Sequence, residues 1–378
     1  MKKSFLKQFY IWIFVLLSAS GFNLQAQVVN SGLMDTTGGD KINNLTISGY
    51  IDSYYGFNFS QPKDGQNPYF VSMNRHNEAT INLAYVDLRY QKQRVRARFV
   101  PGFGTYMNSN YASETGVMKN LLEASIGYKL FSSKEIWIDF GVLGSPYSNE
   151  SAISKDHLMY TRSFAPEYVP YYLSGAKVSL PLGKKWNAYL YLINGWQQIE
   201  DQNSGKSIGT QLEYRPNPKN LLNWNTYLGD ERSKLSPGNR MRYFSDLYWI
   251  HNPDGKVSIT SCAYLGLQTR IGDTDKKQND FWWQCNFIAR YRFNPKVSLS
   301  GRIEYFSDPK GIQIASINAL SGFETYSTGL CLNINLSSSL LFRLEGRQFY
   351  SDKKQFQNSK LEPVNQSTWL ISNLTVWF

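Results

Sequence analysis

From residue 45 to the last residue the chain alternates apolar and polar positions with a period of two. In LTISGYIDSYYGFNF, Leu45, Ile47, Ile51, Tyr55, Phe57 and Phe59 share one parity, while Thr46, Ser48, Asp52 and Asn58 share the other. That period marks a strand whose two faces meet different surroundings. It predicts strands near 45–59, 79–91, 94–106, 121–131, 135–145, 171–182, 185–196, 207–215, 220–230, 240–250, 256–270, 281–293, 296–307, 324–336, 339–350 and 367–378. There are sixteen, most of them nine residues or longer, the length that a tilted strand needs to cross a bilayer.

The connections between these segments alternate in length. SQPKDGQNPYFVSMNRHNE and NSNYASETGVMKN follow the first and third strands, whereas only SSK follows the fourth and GK the sixth. Short turns at one end and long loops at the other are the rhythm of a membrane-spanning antiparallel barrel. Within the strand cores fourteen basic and eight acidic side chains occur, all on the parity opposite the apolar stripe. A two-sheet sandwich could also place charge on one parity. Sixteen strands with no covering helix, and aromatics at strand ends (Tyr54, Tyr55, Tyr106, Trp249, Trp282, Trp283, Trp369, Trp377), favour a closed wall facing lipid with a girdle of rings. The expected fold is all-β, a transmembrane antiparallel up-and-down β-barrel of about 16 strands.

Composition agrees with such a wall. Aromatics make up 15% of the residues, charged residues only 18%, and mean hydropathy is −0.41. Residues 1–27 read as a secretory signal, with Lys2, Lys3 and Lys7 before FYIWIFVLL and Ala26 at the cleavage point. Removing its three lysines from the formal net charge of +11 leaves +8. Residues 28–44 form a short periplasmic lead, too short for a plug domain, and 45–378 the barrel. Cys262, Cys285 and Cys331 are expected to be buried wall residues and not a disulfide or zinc set. His76, His157 and His251 make no metal-ligand spacing, and no GxSxG frame or phosphate-binding glycine loop appears, so neither catalysis nor a cofactor is expected. The pI of 9.3 comes from dispersed arginines without a continuous basic patch, which argues against nucleic acid.

Several stretches resemble the Bacteroidetes-type outer-membrane β-barrel porin family (porin-2, OmpL-like). They are GYIDSYYGFNF, HNEATINLAYVDL, RVRARFVPGFGTYM, IDFGVLGSPYSNES and MYTRSFAPEYVPYYLSGAKVS, which cover most of residues 45–182. The resemblance implies an outer-membrane diffusion channel and assigns no residue a chemical role. The partners expected are outer-membrane lipid and lipopolysaccharide, the barrel assembly machinery and small hydrophilic solutes. A homotrimer is compatible with sixteen-stranded porins, although no interface is evident in the sequence. An even strand count puts both termini on the periplasmic side of a Gram-negative outer membrane.

Three groups of residues are candidates for function. Arg94, Arg96 and Arg98 of RVRAR, with Arg89 on the preceding strand, are expected to line the pore beside Asp87, Glu123 and Asp139, either drawing anions or bracing the wall. The third external loop, 146–170, is long and charged enough to fold inward, which would set Glu150, Lys155, Asp156, His157, Arg162 and Glu167 at a constriction. Phe378, ending an apolar-alternating strand, resembles an insertion signal. The lumenal tyrosines Tyr189, Tyr191, Tyr227 and Tyr248 would fill space more readily than form a sugar track. The expected function is passive diffusion of small hydrophilic solutes with mild anion preference, since basic lumenal side chains outnumber acidic ones by six. The alternative is a closed structural or adhesive barrel whose external loops bind a partner.

Overall fold

The computed structural model describes residues 40–233, 240–253, 255–271, 277–314 and 322–378. The signal segment and most of the lead lie outside the described residues. Sixteen antiparallel strands close into one barrel: β1 Leu45–Asn58, β2 Glu78–Lys92, β3 Val95–Phe103, β4 Leu121–Lys129, β5 Trp137–Gly144, β6 Tyr172–Pro181, β7 Trp186–Ile193, β8 Ser207–Asn217, β9 Asn220–Asp230, β10 Met241–His251, β11 Val257–Ile271, β12 Lys277–Arg292, β13 Val297–Asp308, β14 Phe323–Ser337, β15 Leu340–Tyr350 and β16 Gln366–Trp377. Each predicted segment coincides with one of them.

Closure is made by β16 on β1, in register from Trp369 opposite Asn58 to Trp377 opposite Tyr50. The ladder continues to Phe378, whose N–H donates to Gly49 O at 3.1 Å and whose O accepts from Gly49 N–H at 2.9 Å. Its ring lies over Gly49, where a Cβ would come within 2.1 Å of Phe378 Cζ. The edge of this strand is therefore paired, which is how a closed sheet satisfies its backbone in lipid.

The wall is inside out compared with a soluble core. Outward residues such as Ile126, Phe140, Ile303 and Leu330 are apolar and exposed, whereas the fully buried residues include Asp52, Arg343 and Glu345. That pattern rules out the sandwich, which would bury its apolar parity.

The chain departs from expectation in several places. Strand β3 stops at Phe103 because Gly104, at φ 126°, turns the chain into a short helix, α1 (Thr105–Asn110). A Cβ at Gly104 would sit 2.4 Å from Asn82 O, so only glycine fits the turn. More than half of the anticipated girdle faces inward, including Trp377 beneath Lys155. Tyr54, Tyr106, Trp282 and Trp369 are buried in the lumen, while Tyr55, Trp249 and Trp283 are exposed on the outer face. Neighbours such as Tyr54 and Tyr55, or Trp282 and Trp283, cannot share a face in a period-two strand. Cys285 is exposed on the outer face, and only Cys262 and Cys331 are buried.

Candidate functional site

The lumen is crossed by the chain between β5 and β6. Within it Ser154–Asp156 forms a 3-10 turn and Phe164–Glu167 a single helical turn, α2. This loop is fastened to much of the far wall. Asp246 on β10 accepts from the Ser148 N–H at 2.7 Å, and Asn149 donates to Thr260 Oγ1 (2.9 Å) and Asn286 Oδ1 (3.1 Å). Glu345 on β15 accepts from the N–H groups of Tyr160 and Thr161, both at 2.9 Å, and Glu304 on β13 from the Phe164 N–H at 2.7 Å. Asp52 on β1 accepts from Ser154 Oγ and Tyr160 OH, each at 3.0 Å.

Arginines serve the loop carbonyls in return. Arg302 donates to Thr161 O, Arg343 to Ser154 O (both 2.7 Å) and Arg347 to Arg162 O at 2.8 Å. Arg302 also bridges Glu304 (3.3 Å) and Glu345 (3.1 Å), and Arg347 pairs with Glu304. In so dry a setting, charge-assisted bonds to backbone groups are strong and their loss is costly. None of these wall residues stood among the sequence candidates. Their parity was visible, but a partner forty to two hundred residues away was not.

The six charged loop residues mostly hold the loop to itself and to its neighbours. Glu150 accepts from Ser163 N–H (2.8 Å) and Oγ (2.5 Å), and burial raises its carboxyl above the usual range, partly offset by Arg302 and by these bonds. His157 Nε2 accepts from the Ser151 N–H at 2.8 Å. Burial, then Arg162, Arg343 and Arg302, push its imidazole well below the ordinary 6.5. Arg162 Nε donates to Ser151 O at 2.7 Å, and the same side chain donates to Ala152 O. Glu167 accepts from the Val71 N–H at 2.7 Å, tying this loop to the first one. Lys155 pairs with Asp156 at 3.0 Å and stands 5.3 Å over the Trp377 ring.

Two further segments enter the lumen, which sequence reasoning missed. Phe70, from the connection after β1, packs at 5.0–5.5 Å against Phe164, Phe349 and Trp369. Tyr106 and Tyr111 pack around Tyr171 and Tyr172. The apolar run Tyr69, Phe70 and Val71 within a polar connection was the available signal. The four lumenal tyrosines are likewise enclosed, with Tyr191 bonded to Gln211 (2.9 Å), Tyr227 to Ser207 (2.8 Å) and Tyr248 to Pro146 O (3.3 Å). The spaces between these fillings include lumenal cavities of about 190, 90 and 30 Å³.

The candidate arginines form a separate cluster on β2–β6. Arg98 is bidentate on Asp87 (2.8 and 3.1 Å) and reaches Glu123 at 2.6 Å. Arg96 is bidentate on Asp139 (2.5 and 2.6 Å), which Lys177 approaches at 3.4 Å, and Arg89 joins Asp87 at 2.5 Å. Arg94 departs from the expected position. It precedes β3 in the turn, where it donates to Lys129 O (2.8 Å) and Leu130 O (2.6 Å) and lies 4.7 Å from the outward ring of Tyr128. Among the described residues no group of His, Cys, Asp and Glu could hold a metal ion.

Sixteen strands, a charged lumen and a loop docked across it define a porin-like β-barrel. The family described as "Putative beta-barrel porin-2, OmpL-like" matches residues 44–376, and the chain belongs to it. Several solved structures share the fold at low identity. The outer membrane channel DcaP of Acinetobacter baumannii has a TM-score of 0.61 at 10% identity, covering 89% of this chain and 99% of its own. The anion-selective porin from Comamonas acidovorans has a TM-score of 0.58 at 11% identity, covering 88% and 99%. The trimer form of OmpT, an outer membrane protein of Vibrio cholerae, has a TM-score of 0.54 at 9% identity, also covering 88% and 99%. Comparison with curated proteins gives no match.

Proposed function

We propose that this protein is an outer-membrane porin through which small hydrophilic solutes diffuse passively, narrowed by loop 146–170. The observation that carries the reading is the loop docked across a porin-family barrel by Asp52, Asp246, Glu304 and Glu345. In this reading the short turns and both termini are periplasmic, residues 1–27 direct export from the cytoplasm of a Gram-negative cell, and Phe378 contributes to recognition by the barrel assembly machinery. The barrel meets phospholipid and lipopolysaccharide through its apolar outer face, and the trimeric form of one similar fold supports a homotrimer.

A mild anion preference follows from the surplus of basic lumenal side chains. Of the four arginines first suspected, Arg89, Arg96 and Arg98 are neutralised by Asp87, Glu123 and Asp139, so the surplus acts from elsewhere. The resemblance of the fold to an anion-selective porin agrees with this sign. The test is conductance of the folded protein in a planar bilayer, with the reversal potential across a KCl gradient. Discrete steps with anion preference are expected. Cation preference would sink the charge argument and leave the porin.

The enclosed aromatic side chains around Phe70 and Trp196 favour a second reading, a closed structural barrel. Heat-modifiable, folded protein that gives no steps would establish it.

A further inference from the structure

We infer that the 190 Å³ cavity beneath the lumenal loop is a binding site for a small oxyanion, a phosphate or a carboxylate. It lies between the Ser154–Asp156 turn and the short-turn ends of β12–β16, bordered by Lys155, His157, Arg290, Arg292, Asn294 and Trp377. At about 30 Å³ per water it has room for roughly six waters, enough for a hydrated phosphate or a short carboxylate. Among the described residues that line it, none is acidic.

Arg290 is the centre of the argument. Its Nη2 donates to two neutral oxygens, Asn252 Oδ1 (2.9 Å) and Ser258 Oγ (3.1 Å). Arg292 stands beside it on the cavity wall, so it faces like charge where a carboxylate would be the ordinary partner. Among the described residues the Arg290 Nε has no acceptor, and neither has Nδ1 of His157, the nitrogen left to carry the proton when Nε2 accepts from Ser151. The contrast with β2–β6 is direct. There every lumenal arginine has a carboxylate within 3.1 Å, whereas among the described residues Arg290 has none. A half-buried cation without a counter-ion favours an anion from solution, and a guanidinium suits the geometry of a bidentate oxyanion.

This deepens the porin reading and rests on it only for the source of the anion, the solutes that pass. In a porin such a site would hold an anion at the short-turn mouth, concentrating anions ahead of the loop.

The test titrates inorganic phosphate, and separately citrate, into the detergent-folded full-length protein at constant chloride, reading heat and tryptophan fluorescence, since Trp377 borders the site. Saturable binding of one anion per chain is expected. Arg290→Gln should weaken it about tenfold, as expected for one lost charge-assisted hydrogen bond, and Arg96→Gln on the opposite wall should leave it unchanged. If Arg290→Gln fails to fold, Lys155→Gln takes its place, with a smaller loss expected. Absence of saturable binding by both anions, or equal binding by the variant and the original chain, overturns the site. Bilayer recordings separate the two readings. Conductance without binding sinks the site alone, and binding without conductance sinks the diffusion channel alone.

Discussion

Two stretches of the same wall use the same residue types in opposite ways. On β2–β6, acids and bases bind one another: Asp87 with Arg89 and Arg98, Glu123 with Arg98, Asp139 with Arg96 and Lys177. Arg89 and Arg98 stand directly opposite across the ladder, a repulsive placement that Asp87 between them relieves. This region is self-braced. On β10–β16 and β1, the acids Asp52, Asp246, Glu304 and Glu345 instead receive the hydrogen-bond donors of a loop that starts and ends on β5 and β6. Parity tells which side of the wall a charge faces. It does not tell whether the charge serves the wall or something docked on it.

The sharpest way to break this comparison is to remove one acid from each region. Glu345 is fully buried and accepts from two loop N–H groups, from Thr161 Oγ1 and from Arg302. Glu345→Gln leaves Arg302 short of a counter-charge in a dry interior, which costs about 3–5 kcal/mol. The loop should undock and single-channel conductance should rise, with a lower temperature for loss of the compact gel band. Unchanged conductance would mean that the loop does not limit the passage.

On the braced wall, Arg98→Gln removes the link between Asp87 and Glu123, and these pairs are partly open to water. A loss of about 1–3 kcal/mol is expected, with conductance changed little because the hydrogen bonds of Arg98 go to wall carboxylates. If Arg98→Gln opened the channel as Glu345→Gln does, the two regions would be one network.

What the sequence could show follows the same division. All sixteen strands were legible, because lipid outside and water or polar filling inside impose period two on every segment. The inward course of 146–170 could be posed from its length and charge. Its docking partners could not, since Glu345 and Thr161 are joined only through barrel closure and register. The girdle was misread where strand parity already held the correction: Tyr54 follows Asp52 into the lumen while Tyr55 faces out. The filling of the lumen by Phe70 and Tyr106 was missed because the first connection was given no inward course and Tyr106 was read as a girdle ring at the end of the third strand.

Acid should act on the loop-bearing region alone. Burial and three arginines hold His157 well below 6.5, so the docked loop disfavours its protonation. A group with a depressed histidine pKa contributes its full share of docking above 6.5 and loses it as pH falls below that value. Glu150 works in the other direction, because its raised carboxyl favours the docked state as pH falls. Conductance of the original chain should therefore rise below pH 6.5, and His157→Gln, which keeps an acceptor for the Ser151 N–H, should flatten that rise. An identical pH profile in the variant would sink the assignment of the effect to His157.

The smallest effect belongs to Arg94, and it tests how finely the two faces of one short motif can be separated. Arg94, Arg96 and Arg98 alternate along RVRAR, but only the latter two reach lumenal carboxylates. The Arg94 guanidinium caps the carbonyls of Lys129 and Leu130 at the short-turn rim and leans on the exposed ring of Tyr128. Water can replace those bonds at the rim, so Arg94→Ala should cost no more than about 1 kcal/mol. Its distance from the lumenal charges also predicts a reversal potential equal to that of the original chain, whereas Arg96→Ala would leave Asp139 with Lys177 alone and move the potential toward cations. A shift for Arg94→Ala as large as that for Arg96→Ala would show that permeating ions feel the rim, and that selectivity begins before the solute enters the barrel.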